Sequence, residues 1–376
     1  MLEEFVEVNV PLMDSPAFGS ANLNVSGRHA RYSTAGDANT WKVAMSWDTP
    51  IDGVRFRALQ SRDVRAPNLS ELYAAPITTN NTNNDPWRGG SIQATNVALG
   101  NPLLKPEKSI NTQVGIVLQP SWLEGFKTSL DYYRIYISGQ IDKPGTQTSV
   151  NLCYAGLTQY CSAIVVAGGA SPAASANWIQ VNNQAFNQAS TVTDGFNWEA
   201  SYQFSLADWN LIPIPGTFTF RTMATYVSKF ISTPGLPGTF ASEQAGGNDG
   251  AIPHLKAFLT QSYQADKWEF HISENWISEG RHSPMYIECK PGTCPASSLQ
   301  YPTIDDNHVP GIYYINIGGS YNLSDNWVLY GQVDNLMNKN PPPLYVNYQN
   351  PLNDGANTQL YDLIGRMFHV GIRTSF

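Results

Sequence analysis

The last eleven residues of the chain, Arg366–Phe376 (RMFHVGIRTSF), decide its fold. From Phe368 onward every second position carries an apolar or branched side chain: Phe368, Val370, Ile372, Thr374 and Phe376. The positions between them are mostly polar or small. A strand points successive side chains to opposite faces, so the stretch predicts a β-strand with one apolar and one polar face. Such a strand suits the wall of a membrane barrel, with lipid outside and a wet lumen inside.

The same two-residue rhythm recurs along the chain. Clear examples run from Trp41 to Trp47, Phe196 to Phe204, Phe218 to Tyr226, Leu255 to Tyr263 and Tyr313 to Tyr321. We predict about thirteen strands, each near the roughly 9 to 11 residues that a tilted membrane-spanning strand needs. Between Asp131 and Ile137 the apolar phase slips by one residue, which predicts a β-bulge.

The predicted connections alternate between short and long. The short ones are rich in turn-forming residues: Thr49–Gly53, Pro120–Gly125, Ala265–Lys267 and Leu323–Asn326. The long ones are Asp63–Glu107, Asp142–Gln188, Thr233–Ala251, Arg281–Pro310 and Asn338–Asp362. Outer-membrane barrels have short periplasmic turns and long extracellular loops, so this sorting predicts that the final strand ends on the periplasmic side.

Composition restricts the class of protein. The chain is 42% hydrophobic and 14% charged and has no apolar run of about 20 residues, so a transmembrane helix is not predicted. The 10 Trp and 19 Tyr residues suit the aromatic girdles of a membrane barrel. A net charge of −8 gives no indication of nucleic-acid binding. No hydrolase or phosphate-loop motif is present, which favours a protein that is not an enzyme.

All four cysteines fall in predicted long loops, as two local pairs: Cys153 with Cys161 and Cys289 with Cys294. Such pairs in a protein outside the cytosol predict two disulfides. Zinc binding is the alternative, but neither pair has the short CxxC spacing and no His-rich segment accompanies them. The histidines are scattered, so no metal site and no cofactor are predicted.

Four segments resemble one family, the TonB-dependent outer-membrane receptors. Ser61–Tyr73 (SRDVRAPNLSELY) and Gly100–Ser109 (GNPLLKPEKS) resemble its paired mid-barrel motifs. Val333–Lys339 (VDNLMNK) and the final strand resemble its C-terminal signature. The order and spacing of the four segments match as well, and together they span nearly the whole chain.

The resemblance implies an all-β protein: a transmembrane antiparallel β-barrel of meander topology with long extracellular loops. Family members are plugged barrels of 22 strands, so residues 1–376 are expected to be the C-terminal part of the barrel domain, with about 13 of the 22 strands. The start, MLEEFVEVNV, lacks the regions of a signal peptide. We therefore expect the signal peptide, the TonB box, the plug domain and the first strands to be missing.

The implied function is TonB-dependent, energy-coupled uptake of a scarce nutrient across the outer membrane of a Gram-negative bacterium. Ferric siderophores, cobalamin and carbohydrates are the nutrient classes considered. The implied partners are outer-membrane lipid, the extracellular nutrient, the TonB complex through the missing plug region, and the barrel-assembly machinery through the C-terminal strand. A passive porin-like barrel and a secreted β-sandwich binding protein are the alternatives.

Two loop regions carry candidate ligand-binding residues. The first loop offers amide and aromatic side chains suited to a sugar or a neutral polar ligand: Tyr73, Asn80, Asn81, Asn83, Asn84 and Trp87. Asn is also an ordinary loop former, so these residues have a purely structural alternative. Arg281 and His282 in a later loop suit an anionic chelate such as a ferric siderophore, or are simply solvated.

Overall fold

The computed structural model describes residues 1–34, 36–205, 207, 215–236, 239–298, 300–344, 357 and 359–375. Thirteen strands form the wall: β1 Leu2–Ser15, β2 Gly19–Tyr32, β3 Gly36–Asp48, β4 Val54–Arg65, β5 Glu107–Leu118, β6 Phe126–Asp142, β7 Phe186–Ser205, β8 Thr217–Thr233, β9 Leu255–Gln264, β10 Trp268–Ile277, β11 Ile312–Ser324, β12 Trp327–Asp334 and β13 Met367–Thr374. Each pairs antiparallel with the next, which makes one continuous meander sheet. The predicted number of wall strands and their meander order are confirmed.

Smaller elements lie in the connections. The helices are α1 Leu69–Tyr73 and α2 Thr146–Tyr154, and the 3₁₀ turns are Thr158–Ala163 and Ala167–Gly169. The loop strands are Ile77–Asp85, Gly90–Leu99, Ile164–Val166, Trp178–Gln184, Ser242–Glu243, Gly280–Arg281, Ile287–Glu288, Thr303–Ile304 and His308–Val309. Of the residues described, none belongs to a helix long and apolar enough to cross a bilayer.

The long connections all leave the same edge of the sheet. They follow β4, β6, β8, β10 and β12, whereas Thr49–Gly53, Ala265–Lys267 and the other short turns described between paired wall strands lie mainly at the opposite edge. Antiparallel order explains this, because every second connection of a meander returns to the same edge. The predicted long connections therefore lie at one rim of the sheet, and the predicted short turns lie at the other.

The predicted bulge between Asp131 and Ile137 is wrong. The register of β6 on β5 runs unbroken from Lys108 opposite Ser138 to Leu118 opposite Thr128. The apolar side chains there occupy both faces. Tyr133 lies opposite Gly195, where an added Cβ would come 2.9 Å from the Tyr133 hydroxyl, so the glycine makes room for the ring.

One face of the wall is apolar and carries rows of aromatic rings. Near the short-turn rim, the ring of Tyr202 lies 6.3 Å from Phe126 and 5.0 Å from Phe204, and the row continues through Phe218 to Tyr263. A second contact, between Tyr132 and Phe196 at 5.4 Å, lies toward the loop rim. Phe204 lies eight positions after Phe196 on β7, a span of roughly 26 Å along the strand. This height fits the apolar band of an outer-membrane barrel.

The opposite face is polar and is crossed by ion pairs between strands. The Arg57 guanidinium on β4 donates to both carboxylate oxygens of Asp131 on β6, at 2.7 and 2.5 Å. Lys42 lies 3.5 Å from Glu7, and Arg221 lies 2.8 Å from Glu199. Arg57 and Asp131, together with neighbouring asparagines, border a recess of about 540 Å³. Charged groups gather here because water reaches this face and the other is apolar.

Strand β13 pairs with β12 and, in the part of the chain that is described, has no strand on its other side. Phe368, Val370 and Ile372 project from its apolar face and are more than half exposed. Phe376, the last residue assigned to this strand from sequence, lies outside the described residues. The placement of the three described residues agrees with the predicted apolar face, and a barrel-closing role remains a prediction.

Candidate ligand-binding loops

The connections after β4 and β6 fold together into one body, the first loop cap, formed by residues 66–106 and 143–185. Its four-stranded sheet takes Ile77–Asp85 and Gly90–Leu99 from one connection and Trp178–Gln184 and Ile164–Val166 from the other. The sheet and α2 enclose a small apolar core that includes Val150, Trp178 and Val181. The first loop cap is therefore an ordered structure with its own core rather than a set of independent loops.

The predicted asparagines lie on the hairpin of this cap and divide by exposure. Asn83 is 2% exposed, and its side-chain amide donates to Asn96 Oδ1 at 3.0 Å. Asn80 and Asn81 are exposed, with the Thr95 hydroxyl donating to Asn80 Oδ1 at 3.3 Å. Asn84 is exposed as well, but its backbone exchanges two hydrogen bonds with the side chain of Gln147. Asn83 thus holds the hairpin together, while the other three present amides to solvent.

Trp87 lies in the hairpin turn between Asp85 and Gly90 and belongs to an aromatic group. Its ring meets Tyr154 edge-on at 5.3 Å and Trp178 edge-on at 5.9 Å. Trp178 is buried, whereas Tyr154 is 53% exposed. The Trp87 ring is half-buried against the cap core, so it combines a packing role with an accessible edge.

Tyr73 ends helix α1 and is 54% exposed. The helix begins with a capping box, in which Asn68 Oδ1 accepts from the Glu71 backbone and Glu71 Oε2 accepts from the Asn68 backbone, both at 2.8 Å. Local sequence therefore fixes the helix that presents Tyr73 at the rim.

The paired motifs meet in an ion-pair network that sequence reasoning did not identify. Arg65 makes a two-pronged contact with Glu107, at 2.7 Å for both bonds, and a longer one with Glu71, at 3.1 Å. Glu107 also accepts from the Ile141 backbone at 2.6 Å. We call Arg65, Glu71 and Glu107 the rim clamp, because they tie the start of the first loop cap to β5 and β6. The sequence signal for this network is the presence of opposite charges in the two motifs, Arg65 and Glu71 in the first and Glu107 in the second.

Gly100 shows why this junction is sensitive to sequence. A Cβ at this position would lie 2.5 Å from the Leu72 backbone oxygen, closer than real contacts allow. The next residue, Asn101, donates its backbone N–H to Glu71 O at 2.8 Å and its side-chain amide to Ala185 O at 2.8 Å. The GNPLLKPEKS segment is thus built for close packing beneath α1.

Arg281 and His282 lie in a different assembly, the second loop cap, formed by the connections after β8, β10 and β12. Arg281 is exposed, while His282 is 3% exposed. His282 Nδ1 lies 3.1 Å from Asp249 Oδ1, and its backbone donates to Asn307 O at 3.0 Å. Burial raises the pKa of Asp249 above its ordinary value, and the hydrogen bond from His282 opposes that rise. His282 therefore joins loops together, and Arg281 is the member of the pair that faces solvent.

Buried polar groups complete the second loop cap. The Asn248 side chain is fully buried and donates to the Tyr361 hydroxyl at 3.0 Å, and Asn357 donates to Asp249 O at 2.8 Å. Burial also raises the pKa of Tyr361. An apolar core that includes Ile277, Val309 and residues of the last connection lies below these contacts. Three long connections are thus joined to one another and to the top of β10 and β11.

Both predicted disulfides are present. Cys153 and Cys161 join α2 to the following 3₁₀ turn inside the first loop cap, where Cys153 is buried. Cys289 and Cys294 close a short exposed turn in the second loop cap. The prediction of two loop disulfides is confirmed, and the zinc alternative is wrong.

Comparison with solved structures shows related folds. A mutant of the ferric enterobactin receptor PfeA of Pseudomonas aeruginosa is 20% identical, with 100% of this chain and 44% of that chain covered and a TM-score of 0.64. The siderophore receptor PirA of Acinetobacter baumannii is 16% identical, with 100% and 45% covered and a TM-score of 0.62. The copper transporter OprC is 13% identical, with 100% and 47% covered and a TM-score of 0.50. The chain spans less than half the length of each.

No curated protein sequence matches the chain. The family model described as "TonB dependent receptor-like, beta-barrel" matches residues 4–336, which is most of the chain. The resemblance found in the paired motifs is therefore confirmed, and the secreted β-sandwich alternative is wrong. This chain belongs to the TonB-dependent receptor-like β-barrel family, whose members are receptors of the Gram-negative outer membrane.

Proposed function

We propose that this chain supplies wall strands and ligand-binding loops to an outer-membrane receptor that takes up a scarce nutrient in a TonB-dependent, energy-coupled manner. The observation that carries the proposal is the gathering of the long connections at one rim, where they form two packed caps above a two-faced wall. A passive pore needs no such ordered caps. A receptor that captures a dilute ligand does, because preorganised loops lower the entropic cost of binding.

Exposed residues of the two caps are the proposed ligand contacts. In the first loop cap these are Tyr73, Asn80, Asn81, Asn84 and the edge of Trp87, supported from below by Asn83. In the second loop cap Arg281 is the proposed contact and His282 its support. An arginine in one cap and amides and aromatic rings in the other can together bind a bulky ligand that is partly anionic and partly aromatic.

A ferric siderophore is the ligand class we propose to test first. PfeA and PirA are named as receptors of ferric enterobactin and of siderophores. Their identity to this chain is low, so the support comes from the chemistry of the exposed loop residues together with the shared fold. Copper, cobalamin and carbohydrates are the classes to test next.

We further propose that residues 1–376 are the C-terminal part of the barrel domain. The solved relatives are more than twice as long as the matched region, which supports a complete receptor with additional strands and a plug. The plug region would contact TonB, and the C-terminal strand would contact the barrel-assembly machinery. The energy-coupling step then belongs to segments outside this sequence, and the proposed role of this chain includes no enzymatic activity.

Uptake by the complete receptor tests this function. Cells that express it from its own gene would receive radiolabelled ferric chelates of several chemical types, with and without a proton uncoupler. We expect saturable surface binding that survives uncoupling and internal accumulation that does not. Accumulation that is unaffected by the uncoupler and rises linearly with concentration would support the porin-like alternative. Accumulation of another nutrient class alone would overturn the siderophore assignment and leave the receptor function standing.

Loop variants connect the assay to this chain. Trp87→Ala and Arg281→Gln should each weaken surface binding by about tenfold or more, the typical loss for a central contact. Arg31→Gln is the matched control, because Arg31 is also exposed but lies on the apolar face of β2 and pairs with Asp37. Equal binding by all three variants would contradict the proposed ligand contacts.

A further inference from the structure

The apolar face of the wall contains a basic recess just below the loop rim. Its volume is about 580 Å³. Three cationic side chains border it, Arg62 on β4, Lys108 on β5 and Lys105 in the connection just before β5, together with the amides of Asn39 and Asn187. Arg62 and Lys108 belong to the wall and Lys105 to the last residues of the first loop cap, so the cluster lies where the two meet.

Strand register places the cations on the face that carries the aromatic rows. Arg62 lies opposite Trp41 on one side and Ile110 on the other, and Lys108 lies opposite Val64 and Ser138. Arg62 and Lys108 are diagonal neighbours on adjacent strands, within about 8 Å of each other. Two strands and one loop therefore bring three positive charges together on one small area of the apolar face.

The position of Lys105 is fixed by its backbone. Its N–H donates to Asn187 Oδ1 at 2.7 Å, and Asn187 returns a bond to Lys105 O at 2.7 Å and another to Gly139 O at 2.9 Å. The Lys105 side chain remains exposed. The backbone that carries the Lys105 ammonium is therefore already ordered before an anion binds, and only the side chain has to be fixed.

The charges of the recess are not balanced within the protein. No ion pair in the described part of the chain includes Arg62, Lys105 or Lys108. The carboxylate that borders the recess, Asp37, is paired with Arg31 at 3.1 Å. A chain of net charge −8 thus concentrates three unpaired cations where its apolar wall ends.

Apolar side chains continue downward from the recess. Tyr136 and Val114 are 43% and 52% exposed on β6 and β5. Arg134, two residues before Tyr136 on the same face, is exposed too, but it lies farther from the loop rim than Tyr136 and is not part of the recess. The combination of cations above and exposed apolar groups below matches an amphiphile with an anionic head and hydrocarbon chains.

We infer that the recess bordered by Arg62, Lys105 and Lys108 binds the phosphorylated head group of an outer-leaflet membrane lipid, whose acyl chains lie along the apolar face of β5 and β6. The lipid is preferred to a free anion because the recess opens on the apolar face rather than toward the polar one. The inference goes beyond nutrient uptake, and it needs only that the apolar face meets lipid.

Lipid retention by the complete receptor tests the inference. The receptor would be extracted from outer membranes in mild detergent, and its bound phosphorylated lipid counted by native mass spectrometry and phosphorus analysis. Arg62→Gln/Lys105→Gln/Lys108→Gln should retain at least about tenfold less lipid than the wild type, because each cation near a phosphate contributes substantially to binding. The matched control is Lys127→Gln/Lys256→Gln/Lys267→Gln, which removes two charges from the polar face of the wall and one from a short turn and should retain wild-type amounts.

Further arms identify the ligand and check the fold. Lipid A with its phosphates, but not the same lipid with the phosphates removed, should rebind to delipidated receptor, and millimolar inorganic phosphate should not displace it. Full displacement by inorganic phosphate would show a simple anion site and overturn the lipid assignment. Equal retention by the two triple variants would overturn the recess as the site.

Heat-modifiable migration checks folding, and Lys105→Gln alone replaces the triple variant if that variant does not fold. Uptake is measured separately, so failure here is distinct from failure of the proposed function.

Discussion

At the scale of single residues, the rim clamp explains why two distant motifs occur together. Arg65 comes from the first motif and Glu107 from the second, and the pair joins strand β4 to β5 where a long connection leaves the wall. The Glu107 side chain is 10% exposed and that of Arg65 is 48% exposed. Removal of the arginine leaves a nearly buried carboxylate without its main partner, which is more costly than loss of a surface pair.

We expect Arg65→Gln to destabilise the receptor by about 1 to 3 kcal/mol, a range reduced from that of a fully buried pair because Arg65 is half exposed. The free energy of unfolding in urea, measured with the receptor in detergent micelles, gives the value. Arg31→Gln should change it by less than about 0.5 kcal/mol, since both partners of that pair are exposed. Similar losses in both variants would contradict the role assigned to the clamp.

Asp249 gives the second loop cap a specific pH response. Burial raises its pKa above the ordinary value of 3.8. The folded cap therefore holds this proton more tightly than the unfolded chain does, and the contribution to stability is complete below pH 3.8. It is lost as pH rises through the higher folded pKa. Ionised Asp249 then relies on the neighbouring His282 as its hydrogen-bond partner.

The measurement is hydrogen exchange of the segment around Asn248, corrected for the intrinsic effect of pH. Protection should fall as pH rises through the folded pKa of Asp249, and Asp249→Asn should remove that dependence. Asp52→Asn is a control of opposite sign, because hydrogen bonds from Ser121 lower the pKa of Asp52 in a short turn. Its stabilising effect is present above pH 3.8 and is lost as pH falls. Unchanged pH dependence in Asp249→Asn would assign the response to another group.

At the scale of elements, strand β7 tests the orientation of the wall. Trp198 is 45% exposed on the apolar face, and the next residue, Glu199, pairs with Arg221 on the polar face. The described cysteines are all in disulfides, so a substituted cysteine can be labelled selectively. Trp198→Cys should react with a maleimide confined to the bilayer, and Glu199→Cys should not. Preferential labelling of Glu199→Cys would reverse the two faces.

The two disulfides should differ in their contribution to stability. Cys153–Cys161 closes a loop within the core of the first loop cap, whereas Cys289–Cys294 closes an exposed turn. Replacing the first pair by serines should destabilise the cap by about 2.5 kcal/mol on the loop-entropy model, with a further loss from burying polar hydroxyls.

Limited proteolysis of intact cells reports that change as faster cleavage between α2 and Trp178. The Cys289→Ser/Cys294→Ser variant is the control, and its effect should be confined to the turn it closes. Both wild-type pairs should also resist alkylation in intact cells without reductant. Ready alkylation there would contradict their placement on the cell surface.

At the scale of the whole molecule, the two edges of the sheet have a clear consequence. Strands β1 and β13 each have one paired side in the described structure, and their outward apolar residues include Val8 and Val370, which are 49% and 82% exposed. An unpaired edge cannot satisfy its backbone groups in a bilayer. Additional strands between these edges would close the barrel.

We expect residues 1–376 expressed alone to show no heat-modifiable migration after delivery to the outer membrane, and the complete receptor to show it. Co-expression of the remaining strands as a separate chain should restore the folded band. A heat-modifiable, protease-resistant barrel from residues 1–376 alone would contradict the proposal that they form part of a larger one.

The sequence by itself determined the two-faced strands, their number, the separation of long from short connections, both disulfides and the family. These features depend on local signals: a period of two in hydrophobicity, turn-forming residues and close cysteine spacing. Local signals also mislead, since Tyr133 and Ile135 on the polar face predict a bulge that the unbroken register excludes. The Tyr133 ring is accommodated there by Gly195 of a different strand.

Only the tertiary structure decided which candidate residues are exposed. Asn83 and Asn84 are adjacent and both amides, yet one is buried on Asn96 and the other faces solvent. Likewise His282 is buried beside Asp249 while Arg281 is exposed. The rim clamp and the basic recess also join residues far apart in sequence. Contacts of this kind depend on how strands from separate hairpins align, and no local pattern encodes that alignment.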